Sequence, residues 1–186
     1  GDRFAAHASP DLQAAAAALY LLGPFTPMLF MGEEWAASTP FPYFSHLGPD
    51  LGPYVTQGRA REFAATGWSS PTPDPQAVET WRSAVLRWEE LGEAPHARML
   101  AWYRGLLELR RSVPALASPG LSGTRVDLVD DDTVGLTRGD VRVAATRGHG
   151  AEVSLPGNVL ARWDGVEEVG AGRYRLAGPG AVVVRG

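Results

Sequence analysis

The sequence predicts an α+β chain in two parts, a stretch of α/β and helical character followed by a small antiparallel β-sandwich. Three features carry that expectation. Ser9-Pro10-Asp11 opens a helix that Gly23-Pro24 stops, and a short apolar run over residues 25–31 follows at the spacing of an αβ unit. Residues 96–112 repeat apolar side chains with a helical period, and beyond the small-residue stretch 117–123 that period falls to two.

Each element has its own reason. Ser9 is the N-cap of the first helix, Pro10 its first residue, and Asp11 sits near the positive end of the helix dipole, so the helix is expected to reach Leu22. The run over residues 25–31, interrupted only by Pro27 and closed by Gly32, reads as a buried strand. Side chains on such a strand reach a ligand mainly at its carboxyl end, which is where Glu33, Glu34 and Trp35 lie. A helix followed by a buried strand is half of a repeating α/β pattern, so a further element is expected before Gly1, inside a longer protein. Residues 36–72 are rich in Pro, Gly and aromatics, and a loop of that length is usually functional. Within it residues 54–65 read as a short helix. After a loop over 71–75, residues 77–91 place Val78, Trp81, Val85 and Trp88 at helical spacing, with the tryptophans expected as core anchors. Helix 96–112 carries Met99, Leu100, Trp102, Tyr103, Leu106 and Leu107 on its apolar side and ends before Pro114. Strands are expected over 124–129, 133–137, 141–145, 151–155 and 181–184. The expected division is 1–118, with a loop insert over 36–95, and 121–186.

Composition removes several function classes. The chain has 186 residues, 45% hydrophobic, a net charge of −4 and a pI near 5.6; its 17 cationic residues are all Arg and are scattered. No basic footprint for nucleic acid follows. With no cysteine there is no disulfide framework, thiolate nucleophile or thiolate metal site. Residues 14–31 are long and nearly uncharged, but Gly23-Pro24 and Pro27 break them, so two buried elements are expected there and no membrane span. The N-terminus lacks the order of a signal peptide, and a cytoplasmic protein is expected.

Glu33-Glu34 is the carboxylate pair attached to the predicted strand end. Glycosidic hydrolysis needs two carboxyl groups about 5 to 10 Å apart across the scissile bond. Neighbours on an extended chain point to opposite sides, so these two cannot form such a pair; one faces a sugar hydroxyl while the other holds loop backbone, or both are structural. Asp130-Asp131-Asp132 lies between two predicted strands and reads as a turn, lacking the ligand spacing of a calcium loop. His7, His46, His96 and His149 are dispersed without zinc spacing, Gly148-His149-Gly150 opens no helix, and no Ser sits in a G-x-S-x-G elbow. No metal or cofactor is expected.

The succession Gly23-Pro24-Phe25-Thr26-Pro27-Met28-Leu29-Phe30-Met31-Gly32-Glu33-Glu34-Trp35, with Ser38-Thr39-Pro40-Phe41 after it, resembles the eighth-strand region of the α-amylase superfamily of glycoside hydrolases. Arg61-Glu62-Phe63-Ala64, Gly67-Trp68, Pro73-Asp74-Pro75-Gln76 and Glu79-Thr80 narrow the resemblance to its malto-oligosyltrehalose trehalohydrolase family, over about residues 1–116. That resemblance implies the last helix and strand elements of a (β/α)8 TIM barrel ahead of the β domain. It further implies retaining hydrolysis of the α-1,4 bond next to the terminal trehalose of malto-oligosyltrehalose, a maltodextrin-derived substrate, releasing trehalose and a shortened maltodextrin in trehalose biosynthesis. The family's catalytic carboxylates lie on earlier strands, so none maps here and the chain alone is expected to be inactive. Glu33, Glu34, Trp35 and Phe41 are the expected substrate-side residues. One departure is visible: Ser83-Ala84-Val85-Leu86-Arg87-Trp88 lacks the Lys and Asp of the family's Ser-Lys-Leu-Asp-Trp. Two rivals remain, a glucan branching enzyme, which the Pro73–Gln76 insert argues against, and a non-catalytic sugar-binding or interaction module using Trp35, Phe41 and Tyr43.

Overall fold

A computed structural model of the chain describes residues 1–67 and 72–186. The Gly67-Trp68 motif and the start of the loop over 71–75 fall partly outside the described residues. Among the described residues, five α-helices precede eight strands, in chain order α1 (Pro10–Leu22), α2 (Gly48–Ala65), α3 (Val78–Ser83), α4 (Ala94–Ser112), α5 (Pro114–Ala117), then β1 (Thr124–Leu128), β2 (Thr133–Arg138), β3 (Val141–Thr146), β4 (Ala151–Ser154), β5 (Asn158–Arg162), β6 (Val166–Gly170), β7 (Arg173–Leu176) and β8 (Gly180–Arg185). All strand pairs are antiparallel, in a five-stranded sheet of order β1-β2-β3-β8-β5 and a three-stranded sheet of order β4-β7-β6.

The period of two explains the layering. Val141, Val143, Ala145, Ala181 and Val183 face a core shared with α1, α4 and α5, while Ala144, Val182 and Val184 face the smaller sheet. Both faces of β8 are therefore covered, which is why it reads as an unbroken apolar run. Helix α1 contributes Ala14, Ala15, Ala17 and Ala18, so its backbone lies close against the sheet, and Leu21, Leu22, Trp102, Tyr103 and Leu106 complete the layer. Gly157 shows how close the backbones come. Its φ is +137°, and an added Cβ would stand 2.2 Å from the Arg185 carbonyl oxygen.

Several expectations are corrected. Among the described residues the predicted strand over 25–31 forms no ladder hydrogen bonds and has no strand beside it to pair with; it is an extended segment with Phe25 70% and Met28 90% exposed. The helix predicted over 54–65 begins earlier, at Gly48, with Pro49 in its first turn; Pro53 lies inside it at the loss of one backbone hydrogen bond. The helix predicted over 77–91 divides into α3 and a 3₁₀ stretch, Trp88–Gly92. Once that period is broken Trp81 and Trp88 share no face, and both are exposed instead of anchoring the core. The five predicted strands all form, but β5, β6 and β7 were not predicted. Their exposed positions carry Arg162, Glu167, Glu168, Arg173 and Arg175, so the apolar alternation reduces in β7 to Tyr174 and Leu176. Helix α1 stops at Leu22, and among the described residues no helix is long and apolar enough to cross a membrane.

Candidate functional site

Chain geometry at the end of the extended segment is set by Gly32. Its φ of +85° is left-handed, and a Cβ there would meet Ala37 Cβ and Leu86 Cδ2, each at 2.8 Å. The chain then makes one 3₁₀ turn, Glu33–Trp35, and leaves through Ala36, whose φ of 57° is the one positive value at a non-glycine among the described residues. Ala37 N–H donates to Gly32 O at 2.8 Å and Ala36 N–H to Glu33 O at 3.0 Å, closing the turn. In such a turn successive side chains splay by about a third of a circle, not to opposite sides as the extended reading assumed.

The four predicted site residues consequently take four different surroundings. Glu33 points toward the helices: it accepts a hydrogen bond from the Tyr20 hydroxyl, one from Tyr103 Oη at 3.2 Å and one from Phe30 N–H at 3.2 Å, and Tyr20 Oη lies 2.8 Å from Tyr103 Oη. Burial, and after it the hydrogen bonds to the Glu33 carboxylate and to Tyr103, hold the Tyr20 phenol far above its ordinary value of 10.0. Burial likewise raises Tyr103. Glu34 Oε2 is buried without a hydrogen-bond partner among the described residues, as is Arg3 Nη2. Trp35 is buried, its ring 5.3 Å from that of Trp88, and its carbonyl accepts from His96 Nδ1 at 2.8 Å. Phe41 stands edge to face with Phe30 at 4.9 Å and with Phe44 at 5.7 Å.

Glu33 and Phe41 line one cavity of about 330 Å³ together with Arg3, Gln13, Phe30 and Tyr103; Glu34 and Trp35 are not on its wall. A neighbouring cavity of about 560 Å³ is bounded by Arg3, Gln13, Thr39, His96 and Met99. Arg3 belongs to both. It donates through Nε to Thr39 O and through Nη1 to Met31 O at 2.7 Å, and its guanidinium lies 5.2 Å from the Phe30 ring centroid. Desolvation pulls its pKa down, against the opposing fields of Glu34, Glu90 and Glu33. Sequence reasoning assigned Arg3 no role; its only signal was a cation next to the chain start, far in sequence from residues 31 and 39. Glu90 was also missed. It is 4% exposed, accepts from Ser38 N–H at 3.2 Å and from the Ser38 hydroxyl, and although burial opposes its charge these bonds hold its pKa below 4.5.

The Pro73-Asp74-Pro75-Gln76 motif ties the loop to helix α2. Asp74 Oδ1 accepts from Thr56 Oγ1 at 2.7 Å and from Gln76 N–H at 3.0 Å, Gln76 Oε1 accepts from Leu47 N–H at 3.1 Å, and Gln76 Nε2 donates to Ser45 Oγ at 2.7 Å. His46 is exposed, and Arg59 lies 4.5 Å over the ring of Tyr43.

The two tyrosines give a pH prediction. A phenol whose folded pKa stands above its unfolded value contributes stability that is complete below about pH 10 and is lost as pH rises toward the folded value. An alkaline denaturation series is therefore expected to show tyrosinate absorbance from Tyr20 and Tyr103 only with unfolding, and Tyr20→Phe, which lacks that contribution, is expected to be less stable at neutral pH and to lose less stability above pH 10. Two tyrosines that titrate freely in the folded chain would contradict this.

No family model matches the chain. It is 45% identical over 193 residues, covering the whole chain and 32% of the relative, to malto-oligosyltrehalose trehalohydrolase of Arthrobacter ramosus. It is 39% identical over 170 residues, covering 88% of the chain and 29% of the relative, to that of Mycobacterium tuberculosis strain CDC 1551. The chain thus spans about a third of the length of these curated relatives. Among solved structures, a candidate alpha amylase from Salmonella typhimurium superposes with a TM-score of 0.78 at 29% identity, over 98% of the chain and 32% of its own. An isomaltulose synthase from Erwinia rhapontici superposes with a TM-score of 0.61 at 16% identity over 94% of the chain and 38% of its own, a likeness of fold alone. Matched from end to end by a relative of that name, the chain belongs to the malto-oligosyltrehalose trehalohydrolase family of α-amylase-type glycoside hydrolases.

Proposed function

We propose that the chain is the part of a malto-oligosyltrehalose trehalohydrolase that closes a (β/α)8 barrel and adds the C-terminal β domain, with residues 1–118 on the barrel side, 36–95 as its loop insert, and 121–186 as the β domain. The observation that carries the reading is the 45% identity to the Arthrobacter ramosus relative along the entire chain. In this reading α1 and α4 are the last two barrel helices and the extended segment between them is the last barrel strand. The parent protein cleaves the α-1,4 bond next to the terminal trehalose of a malto-oligosyltrehalose in the cytoplasm, and the carboxylates of its double displacement lie outside this chain.

Glu33, Glu34, Trp35 and Phe41 then stand on the substrate side with divided work. Glu33 is engaged by two tyrosines and a backbone N–H, so it holds the turn. Glu34 keeps an unpartnered oxygen and is the carboxylate with capacity left for a sugar hydroxyl. Phe41 supplies an apolar wall, and Trp35 backs the turn from behind, packed on Trp88. Trehalose release from malto-oligosyltrehalose by a full-length enzyme carrying this chain tests the activity, which should be absent from the 186-residue chain alone. Glu34→Gln in that enzyme is expected to lower kcat/KM about tenfold or more with Tm held, the loss of about 1.5–3 kcal/mol that a charge-assisted hydrogen bond represents. Unchanged kcat/KM with unchanged stability would remove Glu34 from the site.

A further inference from the structure

Helix α1 ends in an unusual way for a helix followed by glycine. Gly23 is extended, with φ −67° and ψ 172°, so it makes no left-handed cap, and no basic residue lies in the helix's own last turn. The last carbonyls of a helix still need donors. Here they come from two arginines on distant elements. Arg110 of α4 donates through Nη1 to Leu21 O at 2.6 Å and Gly23 O at 2.8 Å, and through Nη2 to Phe25 O at 2.8 Å. Arg138 of β2, 3% exposed, donates through Nη1 to Leu22 O at 3.2 Å, Gly23 O at 2.8 Å and Leu116 O at 3.0 Å, and through Nη2 to Ser118 O.

Two guanidinium groups thus converge on one carbonyl, Gly23 O, and every one of these bonds ends on a carbonyl, none on a carboxylate. Bringing like charges together under burial is unfavourable, and a glycine cap would satisfy the helix without it. What the arginines add is geometry: they tie the chain's exit from α1 to α4, to the end of α5 and to the sheet. At the far end of the same segment Glu33 is fixed by Tyr20 of α1 and Tyr103 of α4. Residues 24–31 are held at both ends while their middle has no ladder of its own.

We infer that Arg138, with Arg110, is a positioning residue for the candidate site: by fixing the carbonyls of Leu21, Leu22, Gly23 and Phe25 the pair sets where the segment bearing Glu33, Glu34 and Trp35 lies. The β domain, in this view, acts on the site through one buried side chain. The inference rests on the functional reading above only for its activity readout.

The test uses a full-length enzyme carrying this chain, as Arg138→Met, Arg138→Lys and Arg110→Met. Kinetics of trehalose release, Tm and amide hydrogen exchange are measured on each. Arg138→Met is expected to lower kcat/KM per folded molecule about tenfold and to speed exchange over residues 28–37 about tenfold, with exchange in β3 and β8 unchanged. Lysine, which keeps one charge but not the fork, is expected to recover part of both. A fall in Tm with kcat/KM and local exchange unaltered would make Arg138 merely structural and overturn the inference. If Arg138→Met does not fold, Arg110→Met is judged by the same two readouts. Should the unaltered enzyme release no trehalose, the functional reading fails, and exchange over 28–37 alone decides the positioning role.

Discussion

Trp163→Ala is expected to destabilise the chain by about 3–5 kcal/mol, the usual cost of emptying a large aromatic site. Trp163 is 3% exposed and sits where the helices meet the sheet. Its ring lies 5.4 Å from that of Trp102, edge to face, and the Arg98 guanidinium stands 3.9 Å from its centroid. Its indole N–H donates to Asp11 Oδ1 at 2.6 Å, and Arg98 bridges on to Asp164 at 2.8 Å. Truncation leaves a void beside Trp102 and takes the indole donor from Asp11, whereas Trp163→Phe keeps most of the volume and loses the hydrogen bond, for about 1–2 kcal/mol. Denaturant midpoints of the two variants check the ordering. Equal losses would mean that packing contributes little there.

Glu33→Ala carries the second large expectation, about 3 kcal/mol. The carboxylate is the acceptor for two phenols and one backbone N–H at the end of a turn that depends on Gly32. Without it the tyrosine hydroxyls keep only each other, and the Phe30 N–H turns to water. Glu33→Gln retains the shape and an acceptor oxygen, so its loss should be about half as large. Thermal unfolding of the three chains measures the difference, and a Glu33→Ala chain as stable as its parent would show that the tyrosine pair stands without the carboxylate.

Much of this architecture was legible because local chemistry and tertiary context agreed. Ser9 does cap α1 through its hydroxyl, which accepts from Leu12 N–H at 3.2 Å, and α4 is amphipathic with Met99, Trp102, Tyr103 and Leu106 buried. The strand expected over 25–31 failed for the converse reason: apolar patterning specifies a buried strand only when another backbone offers hydrogen bonds. Trp81 and Trp88 illustrate how helical spacing loses its meaning where the helix breaks, after Ser83. At the candidate site the adjacency of Glu33 and Glu34 was visible, but their division was not, since it follows from a 3₁₀ turn and from Tyr20 and Tyr103, whose distance in sequence hides them. Arg3, Arg110 and Arg138 were hidden similarly. A cation that serves carbonyls leaves no charge pattern to read.

One consequence concerns the order of events during synthesis. Helix α1 precedes its partners by long stretches of chain: the Trp163 bond to Asp11 spans 152 residues and that of Arg138 to Leu22 spans 116. The sheet it packs on is itself incomplete until β8, which joins β3 to β5, has been made. Contacts of such separation must close large loops before they return any stability, which slows folding. Until β8 has been made, the alanine and leucine faces that α1 and α4 turn toward the sheet lack part of their cover.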